Sequence, residues 1–384
     1  MRSGGVALIV GTRPELVKLA PLAIELGDSC ATVHTGQHPP ALLDAIAADL
    51  GLGAPTVTCA PASTPPHRQI GAMVAAVGDA LERLAPAVVV VQGDTNSTLA
   101  GALAASTLEL PVVHVEAGLR AFDRALPEER NRIVVDHLAD LLCAPTETAA
   151  AHLLAEGCDP GTVVVTGNTV VDAVHATRPD PDATARVLAR HGVEADRFVL
   201  ATFHRQENVD DADRLRAIVD QLAGIPLPVV LAVHPRTQDR AARAGIDLGR
   251  GAVRAVDPLG FREFLALESA CAFLVSDSGG VQEEASVVGR PVVVARRSTE
   301  RPEVVGTFAT LVDPATGIGP AAAALAADVA GAHRRLAGLA SPFGDGHAAR
   351  RIADEIAMRF TEDGNSDRRY DADRGRHDAA VPGG

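Results

Sequence analysis

Carboxylates that follow apolar runs are the residues of this 384-residue sequence best suited to acid and base chemistry. Asp94 and Glu116 each come at the end of such a run, while Glu128 and Glu129 come where a helix is predicted to begin. Neighbouring helical side chains diverge by about 100°, so only one of these two glutamates can readily face a cleft. Asp94 alone is more simply a helix cap, whereas surface charge explains Glu116 poorly because its strand should be buried.

Two histidines also lie within or directly after apolar runs. His114 lies two residues before Glu116, and the alternation of a strand predicts that both side chains share one face. His204 follows the apolar run Phe198–Phe203 and could bind phosphate or exchange a proton near neutral pH. A single histidine is also often structural, so this position alone leaves both roles open.

Basic residues that follow other apolar runs could hold a phosphate group. In Gly11–Glu15 the glycine permits a tight turn into a helix, whose free N–H groups could bind an anion together with Arg13 and Lys18. A capped helix with two solvated cations explains this segment equally well. Arg236 and Arg301 repeat the basic pattern further along the chain. None of these segments is a Walker A loop or a GxGxxG fingerprint, so neither ATP nor NAD is implied.

A second phosphate site is predicted where small residues open a helix. Ser278, Gly279 and Gly280 follow an apolar run, and the N–H groups of the two glycines suit a diphosphate. A helix cap accounts for Ser278 but not for the double glycine. Glu284 lies one turn further on, where its carboxylate could accept hydrogen bonds from a ribose diol.

These segments are positioned by short apolar runs that alternate with amphipathic helical segments such as Pro14–Leu26, His67–Leu84 and Asp211–Leu222. The predicted strands form two series: Val6–Val10, Thr32–His34, Ala87–Gln92, Val112–Glu116, Leu141–Ala144 and Val163–Thr166, then Phe198–Phe203, Val229–His234, Val253–Val256, Phe273–Ser276, Val292–Ala295 and Thr310–Val312. Strands that are apolar throughout are typical of parallel sheets covered by helices on both faces. We therefore predict an α/β fold of two doubly wound, Rossmann-like domains facing across a cleft, with the ligand at the carboxyl ends of the strands.

The boundary between the two domains is predicted near Thr169–Asp182. Val170–Arg178 resembles a connecting helix, and Arg178–Asp182 is a Pro/Asp break. The last stretch, Glu362–Gly384, is rich in Asp, Arg and Gly and is predicted to be a disordered tail.

The composition of the chain disfavours several kinds of binding partner and location. The formal net charge is −14, and aromatic residues make up only 3% of the chain, so nucleic acid and anionic membranes are disfavoured as partners. Five cysteines are scattered without CxxC spacing, as expected for reduced thiols in a cytoplasmic protein. The apolar start of the chain is too short for a signal peptide, and no run is long enough to span a membrane.

Taken together, the polar segments form eleven short motifs: GTRPE, TGQH, QGDT, HVEAGLR, PEERNR, TGN, FHRQEN, HPR, SDSGGVQEE, STERPE and FGDG. Their order closely resembles that of the non-hydrolysing UDP-N-acetylglucosamine 2-epimerases, from about Val6 to about Ile356. The resemblance implies a GT-B-like fold, a homodimer and no added cofactor or metal. It also implies that the helix after FGDG crosses back, so that residues 1–170 and about 345–361 form the first domain and 171–344 form the UDP-binding domain.

The resemblance also assigns roles to residues. It implies that Asp94, Glu116 and Glu128 are the catalytic carboxylates and that His204 acts at the nucleotide end of the site. The positions that correspond to UDP-sugar binding are Arg13, Lys18, Arg132, His204, Arg236, Ser278, Gly279, Gly280, Glu284 and Arg301, with Phe264 walling the uracil. The implied reaction inverts carbon 2 of UDP-N-acetylglucosamine to give UDP-N-acetylmannosamine, through loss and return of UDP.

Several alternatives remain open at this stage. A glycosyltransferase of the same fold would bind the same donor, and a related epimerase could act on a modified sugar such as a 2,3-diacetamido uronic acid. An inactive nucleotide-sugar sensor is disfavoured because the three carboxylates are intact. Pro39-Pro40-Ala41 after TGQH departs from relatives that a second substrate molecule activates, so such activation is not expected here. The form of GTRPE and HVEAGLR disfavours hydrolysis to free N-acetylmannosamine.

Overall fold

The computed structural model describes residues 4–60 and 65–360. A first parallel sheet has the strand order β3-β2-β1-β4-β5-β6-β7. Its strands are β1 (Val6–Val10), β2 (Cys30–His34), β3 (Val57–Thr58), β4 (Val88–Gln92), β5 (Val112–Val115), β6 (Leu141–Ala144) and β7 (Val163–Val165). The order reverses between β1 and β4, where Val6 pairs with Val88, and a crevice opens at such a reversal.

A second parallel sheet repeats this plan with the order β10-β9-β8-β11-β12-β13. Its strands are β8 (Val199–Thr202), β9 (Val229–Ala232), β10 (Val253–Val256), β11 (Phe273–Ser276), β12 (Val292–Ala295) and β13 (Ala309–Val312). Phe273 pairs with Val199 at the reversal between β8 and β11. The prediction of two doubly wound parallel sheets is therefore confirmed.

Helices connect and cover the strands. They are α1 (Arg13–Leu26), α2 (Pro40–Asp49), α3 (Pro66–Leu84), α4 (Asn96–Thr107), α5 (Pro127–Leu138), α6 (Glu147–Ala155), α7 (Thr169–Thr177), α8 (Pro181–His191), α9 (Gln206–Val209), α10 (Ala212–Ala223), α11 (Pro235–Ala244), α12 (Phe261–Ala270), α13 (Gly279–Val288), α14 (Ile318–Ala327), α15 (Val329–Leu336) and α16 (Ala348–Phe360). The central strands are buried along their whole length, as the apolar runs predicted.

Helix α7 packs against both sheets, and helix α16 packs against the first. Ala173 and Val174 of α7 pack into the core of the first sheet, whereas Val170 and Val171 pack into that of the second. The final helix α16 returns to the first sheet, where Ile352 and its apolar neighbours join the core that contains β1. The first sheet is thus covered in part by the end of the chain.

Local differences from the predicted elements have simple causes. The two-residue strand β3 went unpredicted because so short an edge strand has no periodicity. The predicted break at Arg178–Asp182 is shorter than expected, since Pro181 begins α8 and the Asp180 side chain caps it by accepting from Ala183 N–H. Within the described residues no helix is long and apolar enough to cross a membrane. The predicted disordered tail lies outside the described residues.

Candidate active site

The polar motifs gather at the two sheet reversals. GTRPE follows β1, QGDT begins at the last residue of β4 and HVEAGLR begins within β5, so all three reach the carboxyl edge of the first sheet. FHRQEN follows β8, SDSGG follows β11 and STERPE follows β12 at the corresponding edge of the second. Hydrogen bonds and ion pairs join the two edges, so the motifs line one cleft between the sheets.

Glu116 lies at the centre of this cleft. Strand β5 ends at Val115, and Glu116 has a φ of 69°, a left-handed conformation that few residues with a side chain adopt. The prediction that His114 and Glu116 share a strand face is therefore wrong, because the chain turns before Glu116. The Glu116 carboxylate has four donors: Lys18, Gln92 Nε2 at 3.1 Å, Asn168 Nδ2 at 3.1 Å and Arg301 Nη2 at 3.2 Å.

The second domain contributes a matching set of buried charges. Glu283, from SDSGGVQEE, lies 2.7 Å from Lys18 Nζ and accepts from Arg301 Nε at 2.6 Å. Glu300 accepts from Arg301 Nη1 at 2.5 Å and from Arg205 Nη2 at 3.1 Å. Burial disfavours an ionised Glu300, yet Arg301, Arg205 and other guanidinium groups hold its pKa well below the usual range. The cations of this cleft are thus held by carboxylates from both domains.

Asp94 and Glu129 share Arg132. The Arg132 guanidinium forms ion pairs with both carboxylates, and Asn131 Nδ2 donates to the Asp94 carbonyl oxygen at 2.9 Å. Glu129 is buried and also accepts from the N–H groups of Ala121 and Phe122 at 3.0 and 2.8 Å. It therefore holds the preceding loop, a role that its place in the first turn of α5 did not predict.

Glu128 faces a different environment from Glu129. Its side chain is half-buried, and among the described residues no hydrogen bond or ion pair engages its carboxylate. The two adjacent glutamates thus have different surroundings, and which of them faces the cleft stays a prediction. Glu128 begins the same helix that carries Arg132, the ion-pair partner of Asp94.

His204 lies on the second-domain side of the cleft. Its backbone N–H donates to Asp277 at 3.1 Å, and its Nδ1 lies 3.4 Å from the same carboxylate. The ring of His234 lies 5.5 Å away, centroid to centroid. Burial, together with Arg205 and Arg296, lowers the pKa of His204 below its ordinary value, although Asp277 opposes the shift. His204 is therefore anchored to Asp277 through both its backbone and its ring.

The start of α1 differs from the predicted anion site. Glu15 is buried and accepts from the N–H groups of Gly11 at 3.0 Å and Thr12 at 2.6 Å, so these donors are already used. Arg13 reaches across the cleft, where Nη1 donates to the Leu259 carbonyl oxygen at 2.7 Å. This segment contributes the side chains of Arg13 and Lys18 rather than free backbone donors.

The start of α13 agrees better with its predicted role. Gly279 and Gly280 occupy the first turn, where helical N–H groups lack carbonyl partners within the helix. A Cβ atom on Gly279 would lie only 2.4 Å from Arg301 Nη1, so the guanidinium packs directly on this glycine. Burial raises the pKa of Glu284 to about 7, and Arg13 opposes the shift.

Two other predicted residues have distinct surroundings. The Phe264 ring is 7% exposed and belongs to the apolar core of the second domain. The Arg236 guanidinium is bound by Asp210, with contacts of 3.0 and 2.6 Å. Among the described residues, no ion pair joins Arg236 to the central charge network.

Several residues of the site were not singled out from the sequence. Gln92, Asn168, Glu283 and Glu300 each lie inside a recognised motif, but their residue types suggested no role by themselves. Gln92 and Asn168 reach Glu116 within the first domain and Glu300 binds Arg301 within the second, whereas Glu283 reaches Lys18 where the two sheet edges meet. In the described part of the chain no group of His, Cys, Asp and Glu residues is arranged to hold a metal ion.

Comparisons with known proteins agree with this geometry. A family model described as UDP-N-acetylglucosamine 2-epimerase matches residues 27–357. The UDP-N-acetylglucosamine 2-epimerase of Methanocaldococcus jannaschii is 38% identical over 320 residues, which cover 80% of this chain and 87% of that protein. The UDP-2,3-diacetamido-2,3-dideoxy-D-glucuronate 2-epimerase of Pseudomonas aeruginosa is 37% identical over 310 residues, covering 78% and 85%.

A solved structure extends the comparison to the fold. The crystal structure of the M. jannaschii UDP-GlcNAc 2-epimerase in complex with UDP-GlcNAc and UDP matches with a TM-score of 0.81 and 35% identity, over 92% of this chain and 99% of that one. This match confirms the expected GT-B-like arrangement of the two domains. Together with the family match it confirms the resemblance seen in the motifs: the chain belongs to the UDP-N-acetylglucosamine 2-epimerase family.

Proposed function

We propose that this protein interconverts UDP-N-acetylglucosamine and UDP-N-acetylmannosamine without releasing free sugar. The observation that carries the proposal is the pair of contacts that join the two domains around one carboxylate. Glu116 of the first domain binds Arg301 of the second, and Lys18 of the first binds Glu283 of the second. A reacting sugar and its diphosphate would meet acid, base and cation in this cleft.

The chemistry requires more than one kind of group. The hydrogen on carbon 2 is not acidic, so the bond between carbon 1 and the UDP oxygen breaks first and carbon 1 gains oxocarbenium character. A carboxylate then takes the proton from carbon 2, which leaves 2-acetamidoglucal and UDP. Proton return to the opposite face of carbon 2 and re-addition of UDP to carbon 1 complete the inversion.

We assign the acid and base roles to Asp94, Glu116 and Glu128 as a set. Asp94 and Glu116 are held by Arg132 and Arg301 respectively, so each is positioned by a buried guanidinium. Their negative charges also favour the oxocarbenium ion. Glu128, whose carboxylate lacks such a partner among the described residues, is the group freest to move toward the sugar.

The diphosphate is assigned to the cations and helix start of the second domain. Arg301, packed on Gly279, lies beside the first-turn N–H groups of α13. Arg13, Lys18 and Arg132 add positive charge from the first domain, and His204, on the second-domain side, is assigned to the departing group. Glu284 and Phe264 are assigned to the ribose and the uracil, and Arg236 and Ser278 complete the proposed UDP-sugar site.

The test is incubation of the protein with UDP-N-acetylglucosamine alone, followed by proton NMR. We expect a mixture of the gluco and manno nucleotides. An unchanged substrate would contradict the proposal. Free N-acetylmannosamine would indicate a hydrolase. If the substrate is unchanged, a second incubation with a diacetamido uronic acid nucleotide separates the alternatives: its conversion would indicate the specificity of the P. aeruginosa relative, and no conversion would favour a transferase that needs an acceptor.

We also propose the assembly and the domain limits. Residues 1–170 and about 345–361 would form the first domain and 171–344 the second, which the packing of α16 on the β1 core supports. A cytoplasmic location is supported by the five cysteines, all free in the structure. A homodimer is supported by the family resemblance, and light scattering in solution tests it.

A further inference from the structure

A buried charge network lies behind the proposed catalytic carboxylates. His114, on β5, has no exposed surface, and its Nδ1 lies 2.6 Å from Asp136 Oδ1. The other ring nitrogen, Nε2, lies 2.8 Å from the Gly93 carbonyl oxygen. None of these residues has a role in the reaction proposed above.

Both partners of the ring are hydrogen-bond acceptors. A carbonyl oxygen can only accept, so Nε2 must carry a proton. Asp136 also accepts from Arg120 Nη1, at 2.7 Å, and from Gly118 N–H, which is the behaviour of an ionised carboxylate. Nδ1 must then carry a proton as well, and the ring is an imidazolium.

The charges around His114 support this protonation state. Arg120 continues the network to Glu156, with contacts of 2.8 and 2.5 Å. The network then holds two cations, His114 and Arg120, and two anions, Asp136 and Glu156, so its charges balance. The His114 imidazole itself has no contact with solvent. Burial alone would raise the pKa of Asp136, but His114 and Arg120 keep it lowered.

The network touches each segment that carries a proposed catalytic carboxylate. Gly93, with a φ of 73°, is the turn residue directly before Asp94. Gly118 follows Glu116 by two residues, and a Cβ atom there would lie 2.2 Å from the Ala149 carbonyl oxygen, so this turn has no space to shift. Asp136 lies on α5, the helix that begins at Pro127 and carries Glu128.

We propose that His114, as an imidazolium held by Asp136, is a positioning residue that orients the Gly93–Asp94 turn for catalysis. The inference rests on the function proposed above, because it assumes that Asp94 acts on the sugar. The hydrogen bond from His114 Nε2 to the Gly93 carbonyl oxygen fixes the backbone one residue before the Asp94 carboxylate. A displacement of about 1 Å in such a group can reduce a rate about a hundredfold.

The test compares Asp136→Asn and His114→Gln with wild type, using His67→Gln on the exposed start of α3 as the matched control. We expect kcat to fall at least about thirtyfold in both network variants, with KM and UDP affinity changed less than about twofold, because the turn and not the nucleotide site is displaced. Asp136→Asn keeps the side-chain shape, so it reports on the charge even if His114→Gln does not fold.

A second readout does not depend on activity. In nitrogen-15 NMR of the histidine-labelled protein near pH 7.5, both ring nitrogens of wild-type His114 should carry protons, and one should lose its proton in Asp136→Asn. A neutral wild-type ring, a wild-type kcat in folded Asp136→Asn, or an equal loss of UDP affinity would each overturn the proposal. An inactive wild type would instead refute the proposed function and leave the NMR result standing.

Discussion

Arg301 of the second domain donates from Nη2 to Oε1 of Glu116 in the first domain, at 3.2 Å. The same guanidinium packs against Gly279 at the helix start assigned to the diphosphate. One side chain therefore connects a proposed catalytic carboxylate with the proposed leaving-group site. As negative charge develops on the departing UDP, it competes with Glu116 for this guanidinium. In the proposed mechanism, bond cleavage at carbon 1 and proton removal at carbon 2 would thereby be coupled electrostatically.

Replacing the proposed acid and base groups should separate chemistry from binding. We expect Glu116→Gln and Asp94→Asn each to reduce turnover at least about a hundredfold, because an acid/base group contributes rate factors of that size. UDP affinity, measured by calorimetry, should stay close to wild type. Asp79→Asn, on the exposed face of α3, is the control. Wild-type turnover in either active-site variant would remove that residue from the catalytic set.

Substrate binding should depend on pH through Glu284. Burial raises its pKa to about 7, so the carboxylate gains a proton as the pH falls through neutrality and loses the negative charge that would strengthen its hydrogen bonds from the ribose diol. We expect KM for UDP-N-acetylglucosamine to rise by up to about tenfold for each unit below about pH 7, as for a single linked proton. In Glu284→Gln, KM should be high and nearly independent of pH over this range. Parallel pH profiles in the two proteins would contradict the assignment.

Glu284 should affect folding stability in the opposite direction to substrate binding. The free energy of unfolding should fall as the pH rises through about 7, whereas substrate binding should improve. A carboxyl group whose pKa is raised by folding stabilises the protein at pH values below its unfolded value of 4.5, and this contribution is lost as pH rises through about 7. The ligand-free Glu284→Gln variant should therefore lose less stability than wild type between those pH values. Urea unfolding across the range measures this, and identical slopes would contradict the raised pKa.

Gly279 should tolerate no side chain. A methyl group there would lie 2.4 Å from Arg301 Nη1, so Gly279→Ala must displace the guanidinium. Overpacking of this kind costs about 1–3 kcal/mol, and we expect KM to rise at least about tenfold. Gly78→Ala on α3, where a Cβ atom meets no other atom within 4 Å, is the control. A KM unchanged in Gly279→Ala would show that Arg301 does not bind the diphosphate.

Glu129 should act through the loop that it holds. Its carboxylate binds the N–H groups of Ala121 and Phe122 and the Arg132 guanidinium. In Glu129→Gln we expect faster hydrogen exchange at those two amides and a kcat reduced about tenfold, as a catalytic group loses its alignment. Glu147→Gln, at the exposed start of α6, is the control. Unchanged hydrogen exchange at both amides would contradict the proposal that Glu129 holds this loop.

The sequence predicted the fold closely because its central strands are uninterrupted apolar runs. Runs such as Val292–Ala295 are apolar throughout and are bounded by polar or turn residues, so their burial and parallel pairing follow from elementary patterning. Strand β3 has only two residues, and pairing with β2 rather than local propensity forms it. Pro181 was interpreted as part of a break, although proline also favours the first turn of a helix.

The site was predictable in its parts but not in its contacts. The position of Glu116 after an apolar run indicated a functional carboxylate, yet its left-handed backbone turns it away from the strand face on which alternation placed it. Glu283 comes from the second domain, and only the packing of the two domains brings it to Lys18. Asn168 comes from a distant motif of the first domain, and the assembly of the first sheet brings it to Glu116. The sequence indicated only that one of Glu128 and Glu129 faces the cleft, and it gave no sign that the loop before α5 folds back and supplies donors for Glu129.

Reaction in heavy water tests the central claim most directly. If carboxylates in this cleft remove and return the proton on carbon 2, UDP-N-acetylmannosamine formed in D2O must carry deuterium at that carbon. Proton NMR should show the manno product without its carbon 2 signal, and deuterium should also enter recovered UDP-N-acetylglucosamine. A manno product that keeps its original hydrogen would contradict the proposed mechanism, and the absence of any manno product would contradict the proposed function.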